Sequence, residues 1–592
     1  FVAFGGVPVK NGQIDSGGLG VHAQKPGLRK AAAAGVEFVN VSPLRSDMME
    51  ELGAEWLPAR PNTDAAIMLA LAHTLHVEGL ADEAFMARYC VGFDRFLAYL
   101  TGAEDGAPKD AEWAASITEI GAEAIRGLAR RMAAKRTMIS VSWSLTRQDH
   151  GEQPFWAAIA LAAMLGQIGL PGGGFGFGYS AANSIGANFA PMPAASLPQG
   201  ANGVAAFIPV ARIADMLENP GGAFDFDGRR LTYPDIRLIW WAGGNPYHHH
   251  QDLNRLAKAW EKPETIVVND WCWTATARRA DVVLPCATHL ERGDLSASAR
   301  DPYLIATEKA AEAPAGVRTD HAIFSGIARR LGFEDAFTEG RSEEEWLRWI
   351  YDMTRQRAGE AGIETPGWDA LREKGWHRTP EPERPRVMLE AFRADPDANP
   401  LKTPSGRIEI FSETVAGFSY DDCPGHPVWR EPAEWLGAAG AHPLHLISNQ
   451  PERKLHSQLD QGAYCAAGKR KSREPITLNP ADAAARGIAE GDVVRVFNDR
   501  GVCLGAAELS DELRPGVARM STGAWWDPDE SGMCRHGNPN AVTRDAGTSR
   551  LGQGPTAHSC LVEVERFDGE PPAVRAFDPP EIKPRGAVRP PP

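Results

Sequence analysis

The chain has 592 residues, too many for one hydrophobic core, and domains of about 150 residues point to roughly four. Hydrophobic residues make up 43% and charged residues 23%, an ordinary soluble mixture, while a formal net charge of −15 argues against an electrostatic grip on nucleic acid. Eight cysteines lie far apart with no C-x-x-C pair to suggest zinc, a redox dithiol or an iron–sulfur cluster, and the longest apolar run (155–165) is about half of a membrane-spanning helix.

In chain order, FVAFGGVP (1–8) reads as an apolar strand ending in Gly-Gly-x-Pro. The chain opens inside this strand, with Phe1 and no preceding basic segment, so an N-terminal segment is expected to be missing. VEFVNVSP (36–43) is a second strand, and AEWLPARPNTD (54–64) reaches Asp64 through a Leu-Pro turn. Helical spacing runs through IMLALAHTLHVEGL (67–80) and is expected to continue through ADEAFMARYC (81–90), before a further buried strand in TMISVSWS (137–144). Residues 1–180 therefore read as a first parallel α/β unit. LPGGGFGFG (170–178) breaks all periodicity, and Gly, Ala, Asn and Pro dominate to about residue 203, so 181–229 is expected to be a long functional loop and connection.

The opening pattern then recurs. LIWWAGGNP (238–246), ETIVVND (264–270) and ADVVLPCATHLERGD (280–294) repeat the strand, Gly-Gly turn, second strand and Leu-Pro turn, which defines a second α/β unit over 230–310. Glycine at a strand's carboxyl end lets backbone N–H groups approach a phosphate, and a carboxylate on the next strand can accept from a ribose or a base. Two such units predict two nucleotide-bearing ligands, or one pseudo-symmetric ligand between them. A charged, Trp-rich helical segment and linker occupy 311–439. Short β-rich runs over 440–568 suggest a β-barrel, and a Pro-rich tail over 569–592 is expected to be extended or disordered.

Several motifs admit two readings. RPNTD (60–64) fits a helix capped by Thr63 or Asp64, and equally a guanine contact through the Asp64 carboxylate. Three successive histidines in YHHHQD (247–252) cannot readily face one ion and better suit phosphates or ring edges. SWSLTRQDHGEQ (142–153) puts Trp143, Arg147, His150 and Gln153 at a strand-to-helix junction; Arg147 can pair with a phosphate, although ordinary packing leaves the same trace. SNQPERKLHSQLD (448–460) is dense in donors and acceptors, as many solvated loops are. No Ser-His-Asp or Cys-His spacing and no P-loop declares itself, and neither strand end carries the G-x-G-x-x-G of a dehydrogenase.

These motifs, with IPVARIADMLENPG, DVVRVFNDRG and NAVTRDAGTSRLGQG, together resemble the molybdopterin oxidoreductases of the dimethyl sulfoxide reductase family, in the S- and N-oxide reductase branch and nearest its biotin sulfoxide reductase-like members. The resemblance implies molybdenum held by two pyranopterin guanine dinucleotides, the bis(molybdopterin guanine dinucleotide) cofactor, with one dinucleotide on each α/β unit and the C-terminal barrel closing over both. It implies contacts to one dinucleotide from Trp143, Arg147, Gly243, Gly244, Asn245, His249 and Asp270, to the other from Gly6, Ser42, Arg60 and Asp64, and from the barrel side by His456, Gln458, Asn540 and Gln553. The implied reaction removes an oxygen atom from a small S-oxide or N-oxide, of the biotin sulfoxide, methionine sulfoxide, dimethyl sulfoxide or trimethylamine N-oxide type. Two electrons from an unidentified donor and two protons then restore the cofactor. It favours a cytoplasmic monomer, with a periplasmic location left open.

The chain departs from the family's usual residues at Thr146 (Gln), Tyr247 (Phe), Arg279 (His) and Gly293 (Asn). In this branch the absent N-terminal segment supplies the serine ligand to molybdenum and an aromatic residue beside the substrate. No residue is therefore assigned as metal ligand or catalytic group, and this chain alone is expected to be inactive. A non-catalytic scaffold that keeps the fold without the metal is the alternative.

Overall fold

A computed structural model describes residues 1–12, 21–179, 185–204, 207–298 and 301–580. Five strands form the first sheet: β1 (Val2–Phe4), β2 (Val39–Val41), β3 (Glu55–Leu57), β4 (Met138–Val141) and β5 (Gly174–Phe177). All pair in parallel, in the order β3-β2-β1-β4-β5. β1 and β2 are buried on both faces, which is why they read as continuous apolar runs. The chain steps outward from β1 to β3 and then returns to the other side of β1 as β4. A reversal of this kind opens a crevice at the carboxyl ends of the two flanking strands. The helix Asp64–Val77 follows β3 and is buried at every position from 65 to 72; it packs among the helices Ala111–Thr118, Ala122–Ala134 and Gln153–Met164. A helix apolar all round belongs inside.

Several boundaries differ from expectation. The helix does not run on to residue 90: it ends at Val77, and a separate helix, Glu83–Tyr89, starts where the Asp82 carboxylate accepts from the Phe85 N–H at 2.8 Å. The glycine-rich run contains a strand, β5, because Phe175 and Phe177 alternate with the glycines and pack their rings tilted at 4.8 Å, while Phe177 also meets Phe155 edge-on at 5.0 Å. Beyond Phe177 the described residues to 204 form neither helix nor strand, while 181–184 and 205–206 of the expected loop lie outside the described residues. A hairpin, Ala223–Phe226 with Arg229–Thr232, crosses the expected boundary at 229/230.

The second unit is smaller. Strands β6 (Leu238–Ala242), β7 (Thr265–Asp270) and β8 (Val282–Pro285) are parallel with β7 in the middle. An antiparallel sheet of Asp294–Ala297, Tyr303–Thr307 and Trp376–Arg378 follows, with the helices Glu343–Glu360 and Trp368–Lys374 around a small core at Leu304, Tyr351 and Trp368.

The C-terminal region closes a barrel from β9 (Leu444–Ile447), β10 (Pro475–Leu478), β11 (Val493–Asn498), β12 (Gly501–Leu509), β13 (Val517–Met520) and β14 (Leu561–Arg566), in the order β9-β13-β10-β12-β11-β14. It shares one apolar core with the second unit, where Tyr247, Trp260 and Ile266 join Leu446, Ile476 and Trp526. Its seam with the first unit is polar: Arg544 donates to both Asp149 oxygens at 2.7 Å, and the Ser559 hydroxyl donates to Asn62 at 2.6 Å. The tail is extended but held as far as 580: the Arg575 N–H donates to Asp527 at 2.7 Å and Phe577 packs edge-on against Trp525; residues 581–592 lie outside the described residues. Among the described residues no helix is long and apolar enough to cross a membrane.

Candidate functional site

The carboxyl edge of the first sheet sets out the predicted residues in strand order. Gly6 follows β1, Ser42 follows β2, Arg60 and Asp64 follow β3, and the 3-10 turn Trp143–Arg147 follows β4. Gly6 is buried with a φ of +68°, and a Cβ there would overlap the Asp47 side chain and lie 2.7 Å from its carbonyl oxygen, so only glycine fits this turn after β1. Among the described residues no charged group neighbours the Asp64 carboxyl, and desolvation pushes its pKa up to about 7. An acceptor held this far from its ordinary value gains strongly from any ligand that donates to it.

Two residues of this set are committed elsewhere. Ser42 Oγ donates to Asp47 at 2.8 Å. Arg60 donates to the carbonyls of Ile117 (3.1 Å) and Ser116 (3.4 Å) and to Glu119 (2.5 Å), which Arg514 of the barrel also engages. Both serve the walls of the crevice through these bonds.

On the second unit, Gly243 and Gly244 form a left-handed turn after β6, with φ of +76° and +79°. Asn245 is buried; its Oδ1 accepts from the Thr276 hydroxyl, but its Nδ2 has no partner among the described residues. Asp270 ends β7, and burial raises its pKa although the Thr274 hydroxyl (2.6 Å) and the Trp271 N–H (2.9 Å) donate to it. The three histidines diverge, as three adjacent side chains must. His248 is buried and stacked on Trp525 at 5.6 Å, His249 meets His456 edge-on at 5.1 Å, and His250 turns to Trp241 at 6.5 Å.

Arg147 joins the two units. Although it grows from the first sheet, its guanidinium lies among His249, His456 and His558 and has no hydrogen-bond partner among the described residues. Trp143, Arg147, His249, His456 and Gln458 are open to water. Yet desolvation lowers the pKa of Arg147 and brings His249 down to about 4. Side chains that water reaches but protein largely surrounds line a deep cleft. Its walls are the carboxyl ends of both sheets, and its far side is the barrel loop bearing His456 and Gln458. Asn540 and Gln553, expected from the barrel side, are buried and internally bonded: Asn540 donates to the His248 carbonyl at 3.0 Å, while Gln553 accepts from Arg212 at 2.8 Å and donates to the Asp225 carbonyl at 2.7 Å. They hold the helix Pro246–His249 and the hairpin in place.

Some residues at the cleft carry no sequence signal. His558, whose pKa desolvation lowers to about 3, stands beside Arg147, and its N–H donates to the Arg147 carbonyl at 2.7 Å. Asn62 has a left-handed φ of +66° and bonds Gln148 and the His558 carbonyl across the seam. Lys10, lowered to about 8 by desolvation, lies near Asp47 and Arg519. A lone His, Asn or Lys in the sequence points nowhere until the fold gives it neighbours.

Comparison with known proteins bears on the family and the fold. A molybdopterin oxidoreductase family model matches residues 23–330, and a molybdopterin dinucleotide binding domain matches 444–561. Biotin sulfoxide reductase of Cereibacter sphaeroides is 48% identical over 580 residues, covering 98% of this chain and 78% of that protein. Dimethyl sulfoxide/trimethylamine N-oxide reductase of Cereibacter sphaeroides is 44% identical over 583 residues, covering 95% of this chain and 70% of that protein. Acetylene hydratase from Pelobacter acetylenicus shares the fold, with a TM-score of 0.66 at 19% identity over 96% of this chain and 78% of its own. With over half its length inside the family model and two reductases matched at 44% and 48% identity over most of both chains, this chain belongs to the molybdopterin oxidoreductase family.

Proposed function

We propose that this chain removes an oxygen atom from a small S-oxide or N-oxide, using a bis(molybdopterin guanine dinucleotide) cofactor laid along the cleft between the two α/β units and the barrel. Arg147 carries the reading: a solvent-reachable but desolvated guanidinium with no carboxylate partner, collared by histidines, suits a ligand phosphate. The remaining residues fit a dinucleotide on each side. The exposed Gly243-Gly244 turn brings bare backbone to the crevice, the tight Gly6 turn stands at the corresponding strand end of the first sheet, and Asn245 Nδ2 is a buried donor with no partner among the described residues. Asp64 and Asp270 are carboxylates raised by burial, one at each sheet edge, which accept from adjacent guanine N–H groups. His249, at about 4, is neutral at pH 7 and adds hydrogen bonds without competing charge.

When bound, the cofactor supplies two-electron oxygen-atom chemistry, while the chain orients it and excludes bulk water. The barrel does the last through its core shared with the second unit and its polar seam to the first. The two sequence relatives named above are reductases, which favours an enzyme over a metal-free scaffold. The resemblance to biotin sulfoxide reductase further supports a cytoplasmic monomer fed by a separate electron donor. The test is metal and nucleotide analysis of the holoprotein, followed by assay with a reduced dye against methionine sulfoxide, biotin sulfoxide, dimethyl sulfoxide and trimethylamine N-oxide. Two guanine nucleotides per molybdenum are expected, with turnover of at least one oxide by the natural protein that contains this chain. That natural protein, loaded with molybdenum and inert toward all four, would overturn the reading.

A further inference from the structure

Behind the barrel loop 448–461 lies a closed square of charge. Lys454 Nζ contacts Asp460 Oδ1 at 2.8 Å and Glu474 Oε2 at 3.0 Å; Lys469 Nζ contacts the same two oxygens at 3.0 and 3.1 Å. Their side chains are 4%, 0%, 9% and 5% exposed in the order Lys454, Asp460, Glu474, Lys469, so two cations and two anions are buried together with no net charge. Burial penalises Asp460 and Lys454, but the lysines hold the Asp460 carboxyl well below its ordinary value, and the carboxylates hold Lys454 above its own. Lys454 and Asp460 belong to the loop; Lys469 and Glu474 lie on the chain leading into β10.

The square's connections run toward the cleft. Asp460 Oδ2 accepts the Trp525 N–H at 3.1 Å, Trp525 Nε1 donates to the Ser457 carbonyl at 2.9 Å, and the Trp525 ring stacks on His248, the neighbour of His249. Gly523, two residues before Trp525, lies so close that a Cβ there would collide with the His456 carbonyl oxygen. Between the two loop members of the square, His456 and Leu459 are held at left-handed φ of +50° and +53°, a conformation non-glycine residues keep only when their surroundings impose it. The loop thus turns two charged side chains inward while His456 and Gln458 face the cleft.

We propose that the Lys454–Asp460–Lys469–Glu474 square is a positioning device, which forces the loop into its strained form and so sets His456 and Gln458 opposite His249 and Arg147. The proposal rests on the functional reading above for what the loop meets, but not for how the loop is held. None of the four side chains is assigned to touch cofactor or substrate; they act through the loop's backbone. Charge balance is the condition: with one lysine gone, two buried carboxylates share a single cation and the square opens.

The experiment compares Lys469→Met with the neutral pair Lys469→Met/Glu474→Gln, both purified as holoprotein, by hydrogen exchange of the loop amides and by bound guanine nucleotide per chain. In Lys469→Met, amides in 448–461 should exchange at least tenfold faster while β9 to β14 keep their protection, and nucleotide retained through gel filtration should fall. The neutral pair, with one cation facing one anion, should recover both. Unchanged loop exchange in Lys469→Met, loss of protection spread over the whole barrel, or a neutral pair no better than the single variant would each overturn the proposal. If Lys469→Met does not fold, the neutral pair decides alone: a protected loop supports the square, and an unprotected loop in a folded barrel refutes it. Loop exchange that behaves as expected in a protein devoid of guanine nucleotide would keep the clamp and reject the cofactor reading.

Discussion

Asp64 offers the sharpest test of the cleft. Its carboxyl has a pKa of about 7 through burial alone, with no cation beside it. A guanine base that donates to the ionised carboxylate would return it to the ordinary range near 3.9 or below. Binding then requires the charged form, and the sign follows. Above pH 7 the carboxylate is already ionised and affinity is at its plateau; as pH falls below 7 the ligand must displace a proton and affinity drops about tenfold per unit. Between pH 8 and pH 5 the loss is about 90-fold, or about 2.7 kcal/mol, with close to one proton released per ligand bound at pH 5.5. Guanosine is the suitable probe, because a nucleotide's phosphate would titrate in the same window. Calorimetric titration of cofactor-free protein, in buffers of differing ionisation enthalpy, reads affinity and proton release together. Asp64→Asn should lie near the acid limb at every pH, with a flat profile. A flat profile in the parent protein, or the parent's slope surviving in Asp64→Asn, would refute the assignment.

Two further outcomes follow from buried polar groups. The Tyr247 hydroxyl is buried without a partner among the described residues where the family usually has Phe, and Arg279, another departure, lies over the rings of Tyr247 and Trp526 at 4.9 and 4.3 Å. Tyr247→Phe keeps that stacking and removes an unsatisfied group costing about 1–3 kcal/mol, so it should raise the melting temperature by a few degrees; a lower one in calorimetry would mean the hydroxyl has a partner. Arg544→Ala strips Asp149, whose side chain is 8% exposed, of its bidentate partner and leaves it the Ala433 N–H. A loss of about 2–3 kcal/mol at the seam is expected, seen as earlier proteolysis between the barrel and the first unit; identical protease patterns would count against a seam held this way.

The carboxyl-edge residues were legible because a strand's end is a local event. Gly-Gly after β1 and β6 and the carboxylates Asp64 and Asp270 announce themselves within a few residues of an apolar run. What their side chains do was not legible. Ser42, Arg60, Asn540 and Gln553 spend hydrogen bonds on protein partners, and no neighbour in sequence says so. The break before Glu83 was written in Asp82, a capping residue that periodicity alone overlooks, and β5 was hidden because its glycines mimic a loop while its phenylalanines make a sheet edge.

By itself, then, the sequence determined two strand-turn-carboxylate units, a barrel and the family resemblance, all carried by short-range pattern. The tertiary structure decided that Arg147, grown from the first sheet, faces histidines of the second unit and the barrel, and that Asn62 meets His558 from 496 residues away. It also decided that two lysines and two carboxylates, scattered over 21 residues, close into one neutral square. The physical reason is the same in each case. A charge's energy depends on which groups surround it and how much water they exclude, and the fold alone sets both.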